Sequence, residues 1–126
     1  NNIEDNLHLL GSMPNVYDKY QLYSLFVMTS KSECYPMVLL EAMANNLPMV
    51  AFNIPGARSI IENDINGYLT ECFDAQEMAD KIVELIESKD KRIELSNGNN
   101  TLIEKHTIIT IVDLWNKLID EVLNDK

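Results

Sequence analysis

Two glutamates, Glu33 and Glu41, are separated by seven residues in the stretch SECYPMVLLEAMA. A predicted helix begins at Pro36, which has no N–H, so Met37 and Val38 supply the free backbone donors of the first turn. These donors and the helix dipole favour a phosphate at this end of the helix. Glu41 lies one turn further along the face of Met37, where its carboxylate would repel a phosphate but can accept hydrogen bonds from two neighbouring hydroxyls of a ribose.

Glu33 precedes the predicted helix, on the loop after a strand, where it could bind hydroxyls on the other side of the phosphates. A phosphate between two polyols describes a nucleotide sugar. The glutamate pair alone also has a simpler explanation, because acidic side chains near a helix start are favoured by the dipole. The segment LLEAMA is moreover a good helix former in any protein.

The composition limits the classes of partner. The chain has 126 residues, 46% of them hydrophobic and 24% charged, which is typical of one soluble globular domain. The formal net charge of -10 argues against nucleic acid as a partner and against this domain itself contacting an anionic membrane. The two cysteines, Cys34 and Cys72, form neither a disulfide framework nor a metal-type spacing. Reduced thiols in a cytoplasmic protein are therefore expected.

Strands that alternate with helices predict an α/β fold with a parallel sheet. Apolar runs between turn signals predict strands at 7–10, within 22–29, at 48–53 and at 68–70. Helices are predicted at 14–20, 36–45, 57–63, 74–87, 90–105 and 107–124, with Asp74 and Thr107 as caps. The segment Asn97-Gly98-Asn99-Asn100 interrupts the fifth of these helices and by local propensity alone indicates a loop.

The stretch TSKSECYPMVLLEAMANNLPMVAFNIPGARSIIENDINGYL resembles the donor-binding half of the family-4 retaining glycosyltransferases. Those enzymes have two Rossmann-like domains that face each other across a cleft, an arrangement called GT-B. The elements that match the family pattern are Glu33, Glu41-Ala42-Met43, Pro48-Met49-Val50-Ala51, Pro55-Gly56, Ile60-Ile61 and Asn66-Gly67. The opening NLHLLG is similar to the strand before the base-binding loop, and the tail around Trp115 is similar to the closing helix, so the resemblance covers nearly the whole chain.

The resemblance implies a role for each matched residue. Glu41 would bind the ribose hydroxyls, and Glu33 would be the catalytic residue that binds hydroxyls of the transferred sugar. The backbone at Tyr35, Met37 and Val38 would line the sugar and the diphosphate. The loop formed by Leu10, Gly11, Ser12 and Met13 would border the base. The expected reaction is sugar transfer with retention, from a nucleotide sugar that is expected to be UDP-linked, with no protein-bound metal and no cofactor besides this donor.

Several residues depart from the family pattern. Pro36 stands where a glycine is common, Asn46 replaces a frequent glycine, and Ser59 replaces a frequent glutamate. Arg58 beside it is interpreted as a surface arginine. His106 occupies the place of an aromatic residue and is interpreted as a helix-junction residue rather than a catalytic base. The family has a helix through residues 97–100, and we predict a helix there against the local propensity.

The chain begins after the first two strand–helix units of the family, so residues 1–126 are interpreted as a single donor-binding domain fragment with a closing helix at about 107–124. The missing N-terminal part would carry the acceptor domain, and the fragment is expected to be inactive alone. The full-length enzyme is expected in polysaccharide biosynthesis, in the cytoplasm or peripheral to the inner face of the membrane.

Two alternatives stay open. One is a sugar-nucleotide 2-epimerase-like isomerase of the same architecture, although SECYPM does not supply the Ser-Gly-Gly stretch with adjacent glutamates of those enzymes. The other is a non-catalytic module that binds a nucleotide or a protein partner through the same fold, because a fold by itself does not fix a function.

Overall fold

The computed structural model describes residues 3–124, so the first two and last two residues of the predicted domain 1–126 lie outside the described residues. Within this range three strands form one parallel sheet: β1 (Phe26–Met28), β2 (Met49–Phe52) and β3 (Gly67–Thr70), in the order β1-β2-β3. Val50 of β2 lies opposite Val27 on one side and Tyr68 on the other. The predicted α/β fold with a parallel sheet is confirmed.

Helices flank this sheet. In the described part of the chain the α-helices are α1 (Met37–Ala44), α2 (Pro55–Arg58), α3 (Ala75–Glu87), α4 (Lys89–Leu102) and α5 (Ile108–Asn124), and 3-10 helices cover Glu4–Asn6, Val16–Leu22 and Ile103–His106. Helix α1 packs on β1 and β2, α3 packs on β2 and β3, and α4 packs against both helices. All four residues of β2 are buried, so this strand is the centre of the core.

The two ends of α1 lie close to where the sequence predicts them, and the start is one residue later. Pro36 has an extended backbone and is the N-cap of α1, so the helix begins at Met37, one residue later than predicted. At the other end Asn46 has a φ of 57°, and the Leu47 N–H donates to the Ala42 carbonyl at 3.0 Å. This is a Schellman C-cap, in which asparagine replaces the usual glycine because it tolerates the left-handed conformation.

Capping side chains also fix α3 and α5. The Asp74 carboxylate accepts hydrogen bonds from the backbone N–H of Gln76 and of Glu77, at 3.1 and 2.9 Å. The Thr107 hydroxyl accepts one from the Thr110 N–H at 3.2 Å. Both predicted caps are confirmed. Ser59, which departs from the family pattern, donates to the Gly56 carbonyl at 2.7 Å and closes the single turn of α2.

The segment 97–100 is helical because of contacts with distant residues. A Cβ on Gly98 would collide with the carbonyl group of Ile65 and lie 3.2 Å from the Asn66 nitrogen, so the glycine lets α4 approach this turn. Asn99 is fully buried and donates from Nδ2 to the Leu47 carbonyl at 2.9 Å. These tertiary contacts outweigh the local loop propensity, and the helix implied by the family resemblance is confirmed.

Four element predictions are wrong in part or in full. Residues 7–10 are irregular rather than a strand, and the Leu9 side chain is 91% exposed; within residues 3–124 their backbone pairs with no strand of the sheet. The helix predicted at 14–20 begins later, because Asn15 has a left-handed backbone, and it is a 3-10 helix over Val16–Leu22.

Two further helices are shorter than predicted. The helix predicted at 57–63 is one turn, Pro55–Arg58. The helix predicted at 90–105 ends at Leu102 and continues as a 3-10 turn.

Helix α5 differs from the others because none of its residues is buried. Its large apolar side chains, Trp115 and Leu118 among them, are between 38% and 83% exposed. None of the helices within residues 3–124 combines the length and the apolar character that crossing a membrane requires.

Replacing Gly98 by alanine tests the packing of α4. Helix propensity alone predicts that alanine stabilises the helix by about 1 kcal/mol. The collision with Ile65 predicts instead a loss of about 1–3 kcal/mol in the free energy of unfolding, the usual effect of overpacking. Urea denaturation measures this quantity. Asn100→Ala, at an exposed position of the same helix, is the matched control and should be neutral or stabilising. A Gly98→Ala protein at least as stable as the wild type would contradict the packing argument.

Candidate functional site

The loop between β1 and α1 carries Glu33, and a glycine contact holds its backbone. A Cβ on Gly56 would collide with the Glu33 carbonyl and lie 3.0 Å from the Cys34 carbonyl oxygen. The short helix α2 therefore lies directly against the backbone of the Glu33 loop. This contact gives a physical reason for the glycine of the Pro55-Gly56 pair in the motif. The Glu33 side chain is exposed and makes no hydrogen bond or ion pair within the described residues.

The first turn of α1 offers backbone donors. Pro36 provides no side-chain cap, and the first hydrogen bond of the helix runs from the Leu39 N–H to the Pro36 carbonyl at 3.0 Å. The N–H groups of Met37 and Val38 precede it, and within residues 3–124 no side chain caps them. The side chains of these two residues are 60% and 41% exposed. The start of α1 therefore has the free donors that an anion needs.

Glu41, in the second turn of α1, is half-buried and bound by a tyrosine. The Tyr20 hydroxyl donates to Glu41 Oε2 at 2.8 Å. Burial, followed by the hydrogen bond and the charge of Glu41, raises the pKa of Tyr20 to about 12. Glu41 Oε1 has no hydrogen-bond partner among the residues that the structure describes, so it remains available to a ligand.

The sequence interpretation missed Tyr20. Tyr17, Tyr20 and Tyr23 are spaced by three residues, which places them on one side of a 3-10 helix. The Tyr20 ring lies 6.1 Å from that of Tyr17 and 5.9 Å from that of Phe26, measured between centroids. The spacing was a usable signal for a shared face. Only the tertiary structure shows that Tyr20 is the residue that contacts Glu41, which lies 21 positions away.

Tyr35 connects the site to the end of the chain. Its hydroxyl lies 2.6 Å from His106 Nδ1. His106 ends the 3-10 helix Ile103–His106, directly before the cap of α5, so its interpretation as a helix-junction residue is confirmed. Burial, reinforced by the charge of Lys105 and opposed by that of Glu62, lowers the pKa of His106. A neutral imidazole is thereby favoured in this contact.

The predicted base loop lies partly beside Tyr20. Leu10 and Met13 line a pocket of about 260 Å³ together with Tyr20 and with residues of and next to β1. Gly11, with a φ of 64°, and Ser12 are exposed and do not line it. The structure thus brings Leu10 and Met13 near the tyrosine that holds Glu41, while Gly11 and Ser12 form the outer part of the turn.

Two cations lie beyond the ends of the strands, Lys31 on the loop after β1 and Arg58 in the short helix α2 after β2. Lys31 Nζ is 5.3 Å from the centroid of the Phe73 ring. Arg58 is exposed, as interpreted from the sequence, and its Nη1 donates to the carbonyl and the side-chain oxygen of Asn53, at 3.3 and 3.1 Å. In the described part of the chain, no group of three or more His, Cys, Asp and Glu side chains is placed to hold a metal ion.

The contact between Gly56 and Glu33 can be tested by Gly56→Ala. The added methyl must displace the Glu33 carbonyl, so we expect altered backbone amide shifts at Glu33 and Cys34. A loss of about 1–3 kcal/mol in the free energy of unfolding should accompany them. NMR spectroscopy and urea denaturation give the two quantities. Arg58→Ala, in the same short helix, is the control and should leave the Glu33 amide in place. Unchanged amides at Glu33 and Cys34 in Gly56→Ala would refute the contact.

Comparisons with known proteins identify a family of similar chains. The family model described as "Glycosyl transferases group 1" matches residues 1–101. A poly(ribitol-phosphate) alpha-N-acetylglucosaminyltransferase of Staphylococcus aureus is 33% identical over 121 residues, which are 94% of this chain and 24% of that protein. The chain spans between 24% and 33% of the length of the first curated relatives it matches.

Solved structures share the fold. The structure of an S. aureus TarM mutant in complex with fondaparinux, alpha-GlcNAc-glycerol and UDP has a TM-score of 0.85 and 33% identity, over 93% of this chain and 24% of that one. Anabaena HepE in complex with UDP has a TM-score of 0.83 and 27% identity, over 98% of this chain and 34% of that one. Because the family match covers most of the chain and the fold agrees with these GT-B structures, the chain belongs to the glycosyl transferases group 1 family.

Proposed function

We propose that this chain is the donor-binding part of a family-4 retaining glycosyltransferase, which moves a sugar from a nucleotide diphosphate sugar to a saccharide or lipid-linked acceptor. The arrangement on α1 carries the proposal. Within the described part of the chain, the N–H groups of Met37 and Val38 at its start are uncapped, and one turn further on the Glu41 carboxylate has an oxygen without a partner. UDP in the similar S. aureus and Anabaena structures favours a UDP-linked donor.

In this proposal the start of α1 holds the diphosphate. The net charge of -10 does not prevent this, because the free N–H groups and the helix dipole create a local positive potential. Negative charge grows on the diphosphate as its bond to the sugar breaks. Donors that are already in place stabilise this charge in the transition state. The proposal uses no protein-bound metal and no cofactor besides the donor substrate.

The remaining roles follow the positions of the side chains. Glu41 accepts hydrogen bonds from the ribose hydroxyls, and Glu33 binds hydroxyls of the transferred sugar as the catalytic residue. The exposed position of Glu33 and its lack of a protein partner in the described residues support a role toward a ligand. The Tyr35 backbone lines the sugar, and the loop from Leu10 to Met13 borders the base.

Transfer also needs an acceptor site, which we place in a part of a longer protein outside these 126 residues. The small share of the relatives' length that this chain spans supports this assignment. We therefore expect the chain alone to transfer no sugar from UDP-sugars to saccharide or lipid-linked acceptors in a radiolabel assay. The same assay with boiled chain sets the background. Transfer above that background would contradict the assignment.

The donor site itself can be tested on the chain by NMR titration with UDP, GDP and ADP. We expect shift changes centred on residues 37–41, strongest with UDP. Glu41→Gln should raise the Kd of UDP by about 10- to 100-fold, because hydrogen bonds to a charged acceptor contribute about 1.5–3 kcal/mol. Glu87→Gln removes an exposed carboxylate at the end of α3 and should leave the Kd unchanged.

Two results would contradict donor binding at α1. One is a set of shifts elsewhere in the chain that survives Glu41→Gln. The other is the absence of any shift with all three nucleotides. Equal shifts with UDP, GDP and ADP at residues 37–41 would support the ribose and diphosphate roles and contradict the UDP preference.

A further inference from the structure

We propose that Tyr20 is a positioning residue for nucleotide-sugar recognition: it holds the Glu41 carboxylate in the orientation that accepts the ribose hydroxyls. This inference rests on the proposed role of Glu41 in donor binding. Its basis is the 2.8 Å hydrogen bond from the Tyr20 hydroxyl to Glu41 Oε2. Tyr20 belongs to the 3-10 helix Val16–Leu22, which lies outside the glutamate motif.

The lone pairs of the carboxylate explain how this bond can help a ligand. Each carboxylate oxygen can accept two hydrogen bonds, so Tyr20 occupies one of about four acceptor positions on Glu41. Among residues 3–124 no group occupies Oε1 or the second position on Oε2, which leaves them for two neighbouring hydroxyls. A free glutamate side chain has three rotatable bonds, and a ligand must otherwise bear the entropy of fixing them. Tyr20 fixes the carboxylate before the ligand arrives.

Tyr20 is itself held rigidly, as a positioning residue must be. Its side chain is 7% exposed, and its ring packs against the rings of Tyr17 and Phe26. The Tyr23 N–H donates to the Tyr20 carbonyl at 3.1 Å and closes the 3-10 helix. The hydroxyl therefore reaches Glu41 from a fixed ring rather than from a flexible chain.

The chemical type of the side chain that donates a hydrogen bond to Glu41 also matters. A lysine or arginine in this place would neutralise part of the charge on Glu41 and weaken its attraction for hydroxyl protons. A phenol donates one hydrogen bond and stays neutral, because the pKa of Tyr20 lies far above physiological pH. A tyrosine in this place therefore orients Glu41 without adding a positive charge beside it.

The test compares ligands with and without the ribose hydroxyls. Binding of UDP and of 2′,3′-dideoxy-UDP to the chain is measured by calorimetry or NMR for wild type, Tyr20→Phe, Tyr17→Phe and Glu41→Gln. Tyr20→Phe keeps the packed ring and removes the hydroxyl. It should weaken UDP binding about three- to tenfold, the fold-change that corresponds to freeing one side chain, and change binding of the dideoxy ligand less than twofold. Tyr17→Phe, an exposed position on the same helix, should change neither.

The outcomes separate this inference from the proposed function. Unchanged UDP binding in Tyr20→Phe, or an equal loss for both ligands, would overturn the positioning role while Glu41→Gln still removes the preference for UDP. A wild type that does not distinguish the two ligands, or a Glu41→Gln protein that still does, would overturn the ribose role and this inference with it. Amide spectra of each variant verify that the fold is kept, and the Tyr20 hydroxyl proton gives a ligand-free signal that should shift in Glu41→Gln.

Discussion

The fold depends on three places where one stretch of backbone lies against another with no room for a side chain between them. A Cβ on Gly67 would collide with the Met49 carbonyl, one on Gly56 with that of Glu33, and one on Gly98 with that of Ile65. The first contact joins β2 and β3, the second holds the loop after β1, and the third seats α4 on the turn before β3. Each glycine therefore sets a distance that every other residue would lengthen.

These contacts give the two glutamates different kinds of support. Glu41 is part of a regular helix and bonded to Tyr20, so both its backbone and one of its oxygens are fixed. Glu33 is on a loop whose backbone is held by Gly56 while its side chain extends into solvent. In the proposed reaction the ribose, which is common to all donors of one class, meets the rigid carboxylate. The transferred sugar, which must leave the diphosphate and bond to the acceptor, meets the more adaptable carboxylate.

Local sequence signals were sufficient to predict those elements whose own residues mark where they begin or end. Pro36, Asp74 and Thr107 marked the helices after them, and the apolar segment at Met49–Phe52 marked the central strand. Residues 7–10 have the composition of a strand, but a strand also requires a neighbour for its backbone, and composition does not supply one. The helix through residues 97–100 was accessible only through the family resemblance, because the contacts of Gly98 and Asn99 that stabilise it come from segments at least 30 residues away.

The candidate site, too, was predictable only where its residues belong to one element. The positions of Met37, Val38 and Glu41 on one helix followed from spacing, since three residues on a helix have a fixed relation to one another. Tyr20 was not predictable in this way, because its bond to Glu41 joins two elements whose relative placement is set by the packing of both against β1. The sequence could indicate the ligand-binding groups but not the residue that orients one of them.

The hydrogen bond between Tyr35 and His106 has a mechanical consequence. His106 is two residues before α5, and α5 buries none of its own residues against this domain. Because Tyr35 is the residue before Pro36, this bond links the base of α5 to the head of α1. Any change in the position of α5 that moved His106 would therefore be transmitted through this bond to the place where we propose that the diphosphate binds.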